Sequence, residues 1–345
     1  MSKKALVISG GGSKGAFAVG AVDYLVNTKK LDFDMVAGTS TGSLISPMVV
    51  AGQITQLVNV YTSVTTSDII TPIPVDSAFL KGSSIFNVDP LKSIIKKIVT
   101  DEVANKVLNS NKQVFIAAGC LQTSNLTYFQ TGPKAKTTEG ADLYQIQNPD
   151  ELRSAMLGSA DQPVLMPPVN IIPDADPQRQ YVDGGTRAIA PNEVAIVNGA
   201  TELYSIILDP ASHEPVNEPY NNILKILLRT IDLFTTQITQ NDVRLAQVTN
   251  GSIDYLSALK EKVQKKFDLS PDELNKLFTE DLPENPFADT PLVKLFIIRP
   301  DEELPTDGLN FDPPTMAYMM ELGRKKAEKV VKEVEEKSLN FYVKL

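Results

Sequence analysis

The chain has 345 residues and a formal net charge of −9, with 42% hydrophobic and 22% charged residues. This composition is typical of a globular protein and does not predict disorder. Because the net charge is negative, no nucleic-acid partner is expected, and any transient contact with a membrane or micelle surface must use local apolar side chains. Cys120 and His213 are the only residues of their types, which excludes an internal disulfide and metal sites of the cysteine–histidine kind. No metal and no other cofactor is expected.

The start of the chain leads directly into an apolar run, without the longer apolar segment and cleavage site of a secretory signal. A cytoplasmic location is therefore expected, with secretion by a signal-independent route left open. Residues 35–67 carry no charge, but glycine, serine and threonine fill this stretch and Pro47 interrupts it. That pattern favours a buried helix and loops over a transmembrane span.

Strand, turn and helix follow one another twice at the start of the chain. Strand patterns cover Ala5–Ser9 and Phe33–Ala37, and helical patterns cover Ala16–Asn27 and the small apolar residues before Gly52. Glycine-rich turns separate each strand from its helix. This order predicts a parallel sheet with right-handed crossovers.

The middle of the chain continues the alternation of strands and helices. A helix is predicted at Leu152–Ser159, and an irregular surface segment rich in proline, serine and glycine at Thr71–Asp89. Asp89 is predicted to cap a further helix, with Pro90 at its first position. Apolar runs predict three further strands, at Val114–Cys120, Leu203–Leu208 and Leu295–Arg299.

Two longer helical patterns complete the chain. Tyr220–Phe267 predicts a cap or packing helix, and Thr315–Lys337 predicts a solvated helix with one packed stripe rather than a membrane-surface helix. The predicted fold class is α/β, a mostly parallel sheet flanked by helices with additional helical cap and C-terminal segments. We expect one domain over residues 1–345, with its core at about 5–210 and 291–327 and a helical insertion at about 219–290.

A glycine loop follows the first predicted strand, with Gly10, Gly12 and Gly15 at the spacing of dinucleotide-binding loops. That function needs an acidic residue after the second strand, whereas the aspartates of this region precede it. A phosphate-binding P-loop is also disfavoured, because Lys14 is followed by glycine and alanine rather than by a hydroxyl for magnesium. The loop is therefore predicted to stabilise a negative charge that forms only during a reaction, rather than to bind a phosphate group.

The second strand ends in Gly38-Thr39-Ser40-Thr41-Gly42, which has the G-x-S-x-G spacing of a nucleophile elbow. Gly38 and Gly42 permit the sharp turn and the close approach of the helix, so Ser40 is the predicted nucleophile. If Ser40 attacks a carbonyl, the intermediate carries an oxyanion. The backbone amides of Gly11 and Gly12 are predicted to donate to it.

A serine nucleophile needs a base, and the candidates are His213 and Asp183. His213 stands beside an expected exposed turn, and Ser40 follows only the second strand, which is earlier than in α/β-hydrolases. Asp183 is preferred because Asp183-Gly184-Gly185 ends a strand and turns on two glycines. Asp161 is a second acid near this region, expected as a helix cap more often than as a rival base.

Three motifs in this order, Gly10–Gly15, Gly38–Gly42 and Asp183–Gly185, resemble the signatures of the patatin-like phospholipase family. The resemblance covers about residues 5–210, including Gly158–Pro163, and more loosely Leu309–Ala327. It implies an α/β fold and a serine lipid acyl hydrolase with a Ser–Asp dyad and no catalytic histidine.

By that resemblance Ser40 is the nucleophile, Asp183 is first general base and then general acid, and Gly11 and Gly12 form the oxyanion hole. Lys14 occupies the basic position of the family's glycine loop. Between Gly185 and the next proline the family usually has an asparagine-rich segment, whereas this chain has Thr-Arg-Ala-Ile-Ala. The resemblance therefore assigns no role to Arg187, which lies in this segment.

The predicted function is cleavage of fatty acyl esters of lipids by a phospholipase, lysophospholipase or esterase, through an acyl-enzyme on Ser40. Two alternatives stay open, an acyltransferase on the same fold and a catalytically silent lipid-binding or regulatory scaffold. Related acyltransferases carry a histidine where this chain has Thr39, and the intact Ser40 and Asp183 disfavour a silent scaffold. Five apolar residues are candidate lining for an acyl channel: Leu57, Ile69, Ile223, Leu227 and Phe234.

Overall fold

A sheet of eight strands lies at the centre of the computed structural model, which describes residues 2–74, 82–172, 177–215, 217, 219–287 and 290–342. A separate antiparallel pair joins β3 to β4. In chain order the strands are β1 (Lys4–Ile8), β2 (Met35–Thr39), β3 (Thr71–Pro72), β4 (Phe86–Asn87), β5 (Gln113–Cys120), β6 (Leu126–Thr131), β7 (Ala141–Gln145), β8 (Tyr181–Asp183), β9 (Glu202–Ile206) and β10 (Lys294–Ile298).

The order of the large sheet over the described residues is β10-β9-β1-β2-β5-β6-β7, and β8 also pairs with β5. The pairs β10–β9, β9–β1, β1–β2, β2–β5 and β6–β7 are parallel. Strands β6 and β8 run antiparallel to β5. The predicted fold class, a mostly parallel sheet flanked by helices with a C-terminal helical segment, is confirmed.

Helices cover both faces of the sheet, which is the usual consequence of parallel strands joined by crossovers. They are α1 (Gly15–Asp23), α2 (Thr41–Val50), α3 (Ile54–Tyr61), α4 (Thr66–Ile69), α5 (Asp89–Ile98), α6 (Asp101–Leu108), α7 (Pro149–Ala160), α8 (Asn192–Val197), α9 (Ile223–Phe267), α10 (Pro271–Leu277) and α11 (Pro313–Tyr342). Among the described residues, no helix combines the length and the apolar character needed to span a bilayer.

Successive residues of each strand point to opposite faces, so the sheet separates two apolar cores. Leu6 and Ile8 of β1 belong to one core, together with residues of α1, α2 and α11. Ala5 and Val7 belong to the other core, together with residues of α8 and α9. Apolar runs with no polar alternation are therefore buried on both sides, which is why β1 and β2 could be predicted from composition.

Several boundaries differ from the predicted ones. Helix α5 begins at Asp89 with Val88 in the capping position, so Asp89 is one residue inside the helix that it was predicted to cap. The segment Thr71–Asp89 is not wholly irregular, because Thr71–Pro72 pairs with Phe86–Asn87. Residues 75–81 of that segment lie outside the described residues. The packed stripe predicted in the C-terminal helix is present, since Met316, Met319 and Met320 are buried there.

The long helix α9 lies between β9 and β10 in the chain. Val243 and Ala246 of this helix are buried in the second core, and β10 rejoins the large sheet beside β9, with Lys294 opposite Glu202. The division into a core at 5–210 and 291–327 and a helical insertion at 219–290 stays a prediction.

Candidate active site

Ser40 occupies a strained turn between β2, which ends at Thr39, and α2, which begins at Thr41. Its backbone has φ 54° and ψ −123°, outside the regions that L-residues ordinarily adopt. Such strain persists only where the surrounding structure enforces it, and it concentrates at functional sites. The turn places Ser40 at the carboxyl end of the parallel strands, with 8% of its surface exposed.

The glycines on either side of Ser40 are required by close packing. A Cβ on Gly38 would lie 2.2 Å from the carbonyl oxygen of Gly42, and one on Gly42 would lie 2.1 Å from the carbonyl oxygen of Ile8. Both distances are far inside van der Waals contact, so no other residue fits without movement of the backbone. Helix α2 therefore starts directly against β1, as the G-x-S-x-G spacing predicts.

Asp183 reaches the same end of the sheet from β8. Thr39 pairs with Ala117 of β5, and Asp183 pairs with Ala118, so the two elements converge across β5. The Asp183 carboxylate accepts a 2.7 Å hydrogen bond from the Gly185 amide, and the Ser40 hydroxyl also hydrogen-bonds to it. The structure thus brings together the two side chains that the sequence predicted as nucleophile and base.

Burial makes Asp183 a stronger base than an exposed aspartate. Loss of solvation raises the pKa of Asp183 to about 6, although the hydrogen bonds from Ser40 and from the Gly185 amide oppose this rise. The carboxylate is therefore ionised at neutral pH and has a greater affinity for a proton than a free aspartate has.

The glycine loop passes directly beside Ser40. A Cβ on Gly10 would lie 3.1 Å from the Ser40 Cβ. Gly12 has φ 56°, and a Cβ there would lie 2.0 Å from the carbonyl oxygen of Gly308. The neighbouring amides of Gly10 and Ser13 donate to carbonyl groups elsewhere in the fold, at 3.1 and 2.9 Å. Within the described residues, the amides of Gly11 and Gly12 donate no hydrogen bond, so they are free to bind an anion.

Lys14 and Gly15 fix the position of the glycine loop through contacts with other parts of the fold. The Lys14 ammonium forms a 3.0 Å ion pair with Asp209, which follows β9. A Cβ on Gly15 would lie 2.3 Å from the Thr41 hydroxyl, so the start of α1 packs against the residue after Ser40. Gly184 is equally constrained, since a Cβ there would lie 2.2 Å from the carbonyl oxygen of Ala117.

A cavity of about 330 Å³ opens above Ser40, Asp183 and the glycine loop. Its walls are largely apolar, and its lining includes Leu44, Leu57, Val60, Val64, Ile69, Leu91, Ile94, Ile95, Ile98, Met156 and Met166. Charged side chains of both signs also line it: Lys14, Asp209, Arg229, Asp232, Glu303 and Asp307. The cavity can therefore hold an alkyl chain against its apolar walls and a polar group near its charged residues.

Of the residues suggested as an acyl channel, Leu57 and Ile69 do line this cavity. The suggestion is wrong for Ile223 and Phe234, whose surfaces are 81% and 66% exposed, and Leu227 does not line the cavity either. Helical periodicity identified an apolar stripe on α9 but did not indicate which face turns toward the cavity.

Two other polar residues near the motifs, His213 and Arg187, have different surroundings. His213 lines the cavity and pairs with Glu303 at 2.6 Å through its Nδ1, but Asp183 is the residue that hydrogen-bonds to Ser40. Arg187 is exposed and lines a second cavity of about 520 Å³, which lies against α8 and α9.

Two residues that support the site were not recognised in the sequence. Ser159 accepts a 3.1 Å hydrogen bond from the Ser40 amide, a contact that its place in the Gly158–Pro163 segment does not predict. Asp242 of α9 accepts hydrogen bonds of 2.8 Å from the amides of both Ile189 and Ala190. Since the carbonyl of Ile189 accepts from the Gly10 amide, Asp242 connects α9 to the glycine loop. No local sequence signal marks either contact, because each joins residues far apart in the chain.

These features define an α/β protein that has the geometry of a nucleophile elbow at the carboxyl ends of its parallel strands. A sequence model of the family described as patatin-like phospholipase matches residues 6–196, more than half of the chain. The chain therefore belongs to the patatin-like phospholipase family, as the order of its motifs predicted, and that family is one of lipid acyl hydrolases.

Among solved structures, the chain is similar to VipD from Legionella pneumophila, with 13% sequence identity and a TM-score of 0.41. The similarity covers 96% of this chain and 67% of VipD. No curated protein sequence matches the chain.

Proposed function

We propose that this protein hydrolyses fatty acyl esters of lipids, with Ser40 as nucleophile and Asp183 as general base. One observation carries the proposal: the Ser40 hydroxyl, the Asp183 carboxylate and the two free amides of Gly11 and Gly12 all border one largely apolar cavity. A nucleophile, a base and an oxyanion site are the three parts that acyl transfer to water requires.

In the first half of the reaction, Asp183 takes the proton of the Ser40 hydroxyl as its oxygen attacks the ester carbonyl. The carbonyl oxygen becomes an oxyanion and accepts hydrogen bonds from the amides of Gly11 and Gly12. Each such donor lowers the barrier by about 3–4 kcal/mol. The intermediate then collapses, the bond to the leaving oxygen breaks, and Asp183 returns its proton to the departing alcohol.

In the second half, water attacks the acyl group on Ser40 and gives its proton to Asp183. Collapse of the second intermediate releases the fatty acid and restores the serine hydroxyl with the proton that Asp183 holds. Because one carboxylate accepts and donates in turn, no histidine is needed. The apolar walls would bind the acyl chain, and the charged residues would lie near the rest of the lipid.

Hydrolysis of p-nitrophenyl butyrate by the wild type, Ser40→Ala and Asp183→Asn tests these roles. We expect Ser40→Ala to lower kcat by about 10⁴-fold or more and Asp183→Asn by about 10²–10⁴-fold. His213→Ala is the control and should stay near the wild-type rate.

Equal rates in the wild type and both site variants would refute the proposal, and a large loss in His213→Ala would replace the dyad with a triad. Absence of ester cleavage by the wild type would favour a silent lipid-binding scaffold. Product formation only with an added acceptor alcohol would identify an acyltransferase.

We further propose that the enzyme acts in the cytoplasm on lipid presented at a membrane or micelle surface. Four exposed apolar residues lie on α9 beside the residues of this helix that line the cavity: Ile223, Ile226, Leu233 and Phe234. Such side chains can enter the boundary between headgroups and acyl chains.

Phe234→Ser should slow hydrolysis of lipid in phosphatidylcholine vesicles and leave hydrolysis of p-nitrophenyl butyrate unchanged. Phe267→Ser is a matched control, since Phe267 is 61% exposed at the far end of the same helix, roughly 50 Å away. Equal loss in both variants, or loss on the soluble ester, would contradict the surface role of Phe234.

A further inference from the structure

Asp161 is a buried carboxyl group next to the proposed base. It follows the last residue of α7, and its surface is 0% exposed. Neither of its carboxyl oxygens has a hydrogen-bond partner among the described residues. Its carbonyl oxygen accepts the amide of Asp183 at 2.9 Å, which fixes the two aspartates side by side.

The two carboxyl groups have opposite surroundings. Asp183 accepts hydrogen bonds from the Gly185 amide and the Ser40 hydroxyl, both of which stabilise its charged form. Asp161 has no such donor. Two neighbouring carboxylates in a site of low dielectric cannot easily both be charged, so one of them retains a proton. The hydrogen bonds assign the charge to Asp183 and the proton to Asp161.

We propose that Asp161 is a positioning residue that holds a proton beside Asp183 at neutral pH and, by losing it under alkaline conditions, increases the basicity of Asp183. This inference rests on the proposed roles of Ser40 and Asp183. Burial and the charge of Asp183 raise the pKa of Asp161 to about 8, in agreement with the arrangement of donors. A negative charge on Asp161 destabilises the negative charge of Asp183 by repulsion. It therefore favours transfer of the Ser40 proton to Asp183.

Other titratable groups lie on α7 and on the elements packed against it. Cys120 of β5 and Tyr181 of β8 are buried on neighbouring strands. The acids and the arginine of α7 itself lie in its first turns, about 12 Å or more along the helix from Asp161. The charged groups of α5 and α6 face solvent, and include Lys92, Lys96, Lys97, Asp101, Glu102 and Lys106.

The pH dependence of kcat/KM, measured with p-nitrophenyl butyrate, tests the proposal. In the wild type we expect kcat/KM to reach a plateau above pH 6 and to rise a second time around pH 8. Asp161→Asn should keep the first rise and lose the second. Asp150→Asn, which removes an exposed charge at the start of the same helix, is the control and should keep both.

Thermal unfolding supplies a measurement that does not depend on activity. Because the pKa of Asp161 is higher in the folded than in the unfolded state, its contribution to stability is present below pH 4 and is lost as pH rises toward 8. The melting temperature of Asp161→Asn minus that of the wild type should therefore increase from pH 5 to pH 8.

The proposal is overturned if the wild type shows no second rise, if Asp161→Asn retains it, or if the difference in melting temperature does not grow with pH. Failure of the proposed function would have another signature. Ser40→Ala and Asp183→Asn would then retain wild-type rates, whatever the behaviour of the Asp161 variant.

Discussion

The main-chain amide of Ser40 donates a 3.1 Å hydrogen bond to the hydroxyl of Ser159, which itself donates a 2.6 Å hydrogen bond to the carbonyl of Ala117. One buried hydroxyl thus connects the strained turn of Ser40 to α7 and to β5. It satisfies a donor and an acceptor that would otherwise be buried without partners.

Replacing Ser159 by alanine should therefore disturb both the fold and the turn. Loss of these buried hydrogen bonds should lower the free energy of unfolding by about 1–3 kcal/mol. We also expect kcat to fall by roughly ten-fold, since about 1.4 kcal/mol of lost positioning has that effect. Urea unfolding and ester hydrolysis measure the two effects.

Ser46→Ala is the matched control for this experiment, because Ser46 is a buried serine of α2 that donates to the carbonyl of Gly42 at 2.7 Å and does not contact Ser40. It should lower stability with little change in kcat. A Ser159→Ala variant with wild-type kcat would show that the turn of Ser40 does not depend on this contact.

The ionisation of Asp183 should govern the acid side of the pH profile. Because burial raises the pKa of Asp183 to about 6, kcat/KM should fall ten-fold for each pH unit below that value. The sign follows from its role, since a protonated Asp183 cannot take the proton of Ser40. Initial rates on a neutral ester between pH 4.5 and 7.5 measure this limb. An inflection that disappears in His213→Ala would instead assign the titration to the histidine.

Gly12→Ala should displace the proposed oxyanion donors. The new Cβ would lie 2.0 Å from the carbonyl oxygen of Gly308, at a φ of 56° that L-residues rarely adopt. We expect kcat to fall by at least about 10²-fold, the effect of losing one donor. Gly52→Ala is the control, because Gly52 has φ 71° but no atom within 4 Å of its Cβ position. Equal loss of kcat in both variants would attribute the effect to backbone strain alone.

The apolar walls of the cavity predict a preference for longer acyl chains. Each methylene that enters the cavity contributes up to about 0.8 kcal/mol, or about four-fold in kcat/KM. Rates on p-nitrophenyl esters of increasing length should therefore rise and then level off when the cavity of about 330 Å³ is full. A rate that falls steadily from the acetate onward would contradict binding of the acyl chain in this cavity.

The parts of the site that lie in local motifs could be predicted from the sequence. Ser40, Asp183 and the glycine loop each stand at the end of a strand, and the carboxyl ends of parallel strands share one edge of a sheet. The contacts of Asp242 with Ile189 and of Gly12 with Gly308 could not be predicted, because they depend on how distant segments pack.

Two strands that the sequence did not predict, β6 and β7, lack a continuous apolar run. Strand β1 is a continuous apolar run, whereas β6 reads Leu-Thr-Tyr-Phe-Gln-Thr and buries three polar side chains, Thr127, Gln130 and Thr131. Strand β7 reads Ala-Asp-Leu-Tyr-Gln and is a partly buried edge strand without a continuous apolar run. Neither shows the hydrophobic pattern from which strands are predicted, so both form through pairing with neighbours.

The most direct test of the account is covalent labelling by a fluorophosphonate, followed by mass spectrometry of the labelled peptide. Such a probe reacts with an activated serine and leaves ordinary hydroxyl groups unmodified. We predict a single modified residue, Ser40, in the wild type, and a much slower reaction in Asp183→Asn. Labelling of a different serine, or of Ser40 at the same rate in Asp183→Asn, would contradict the Ser40–Asp183 dyad.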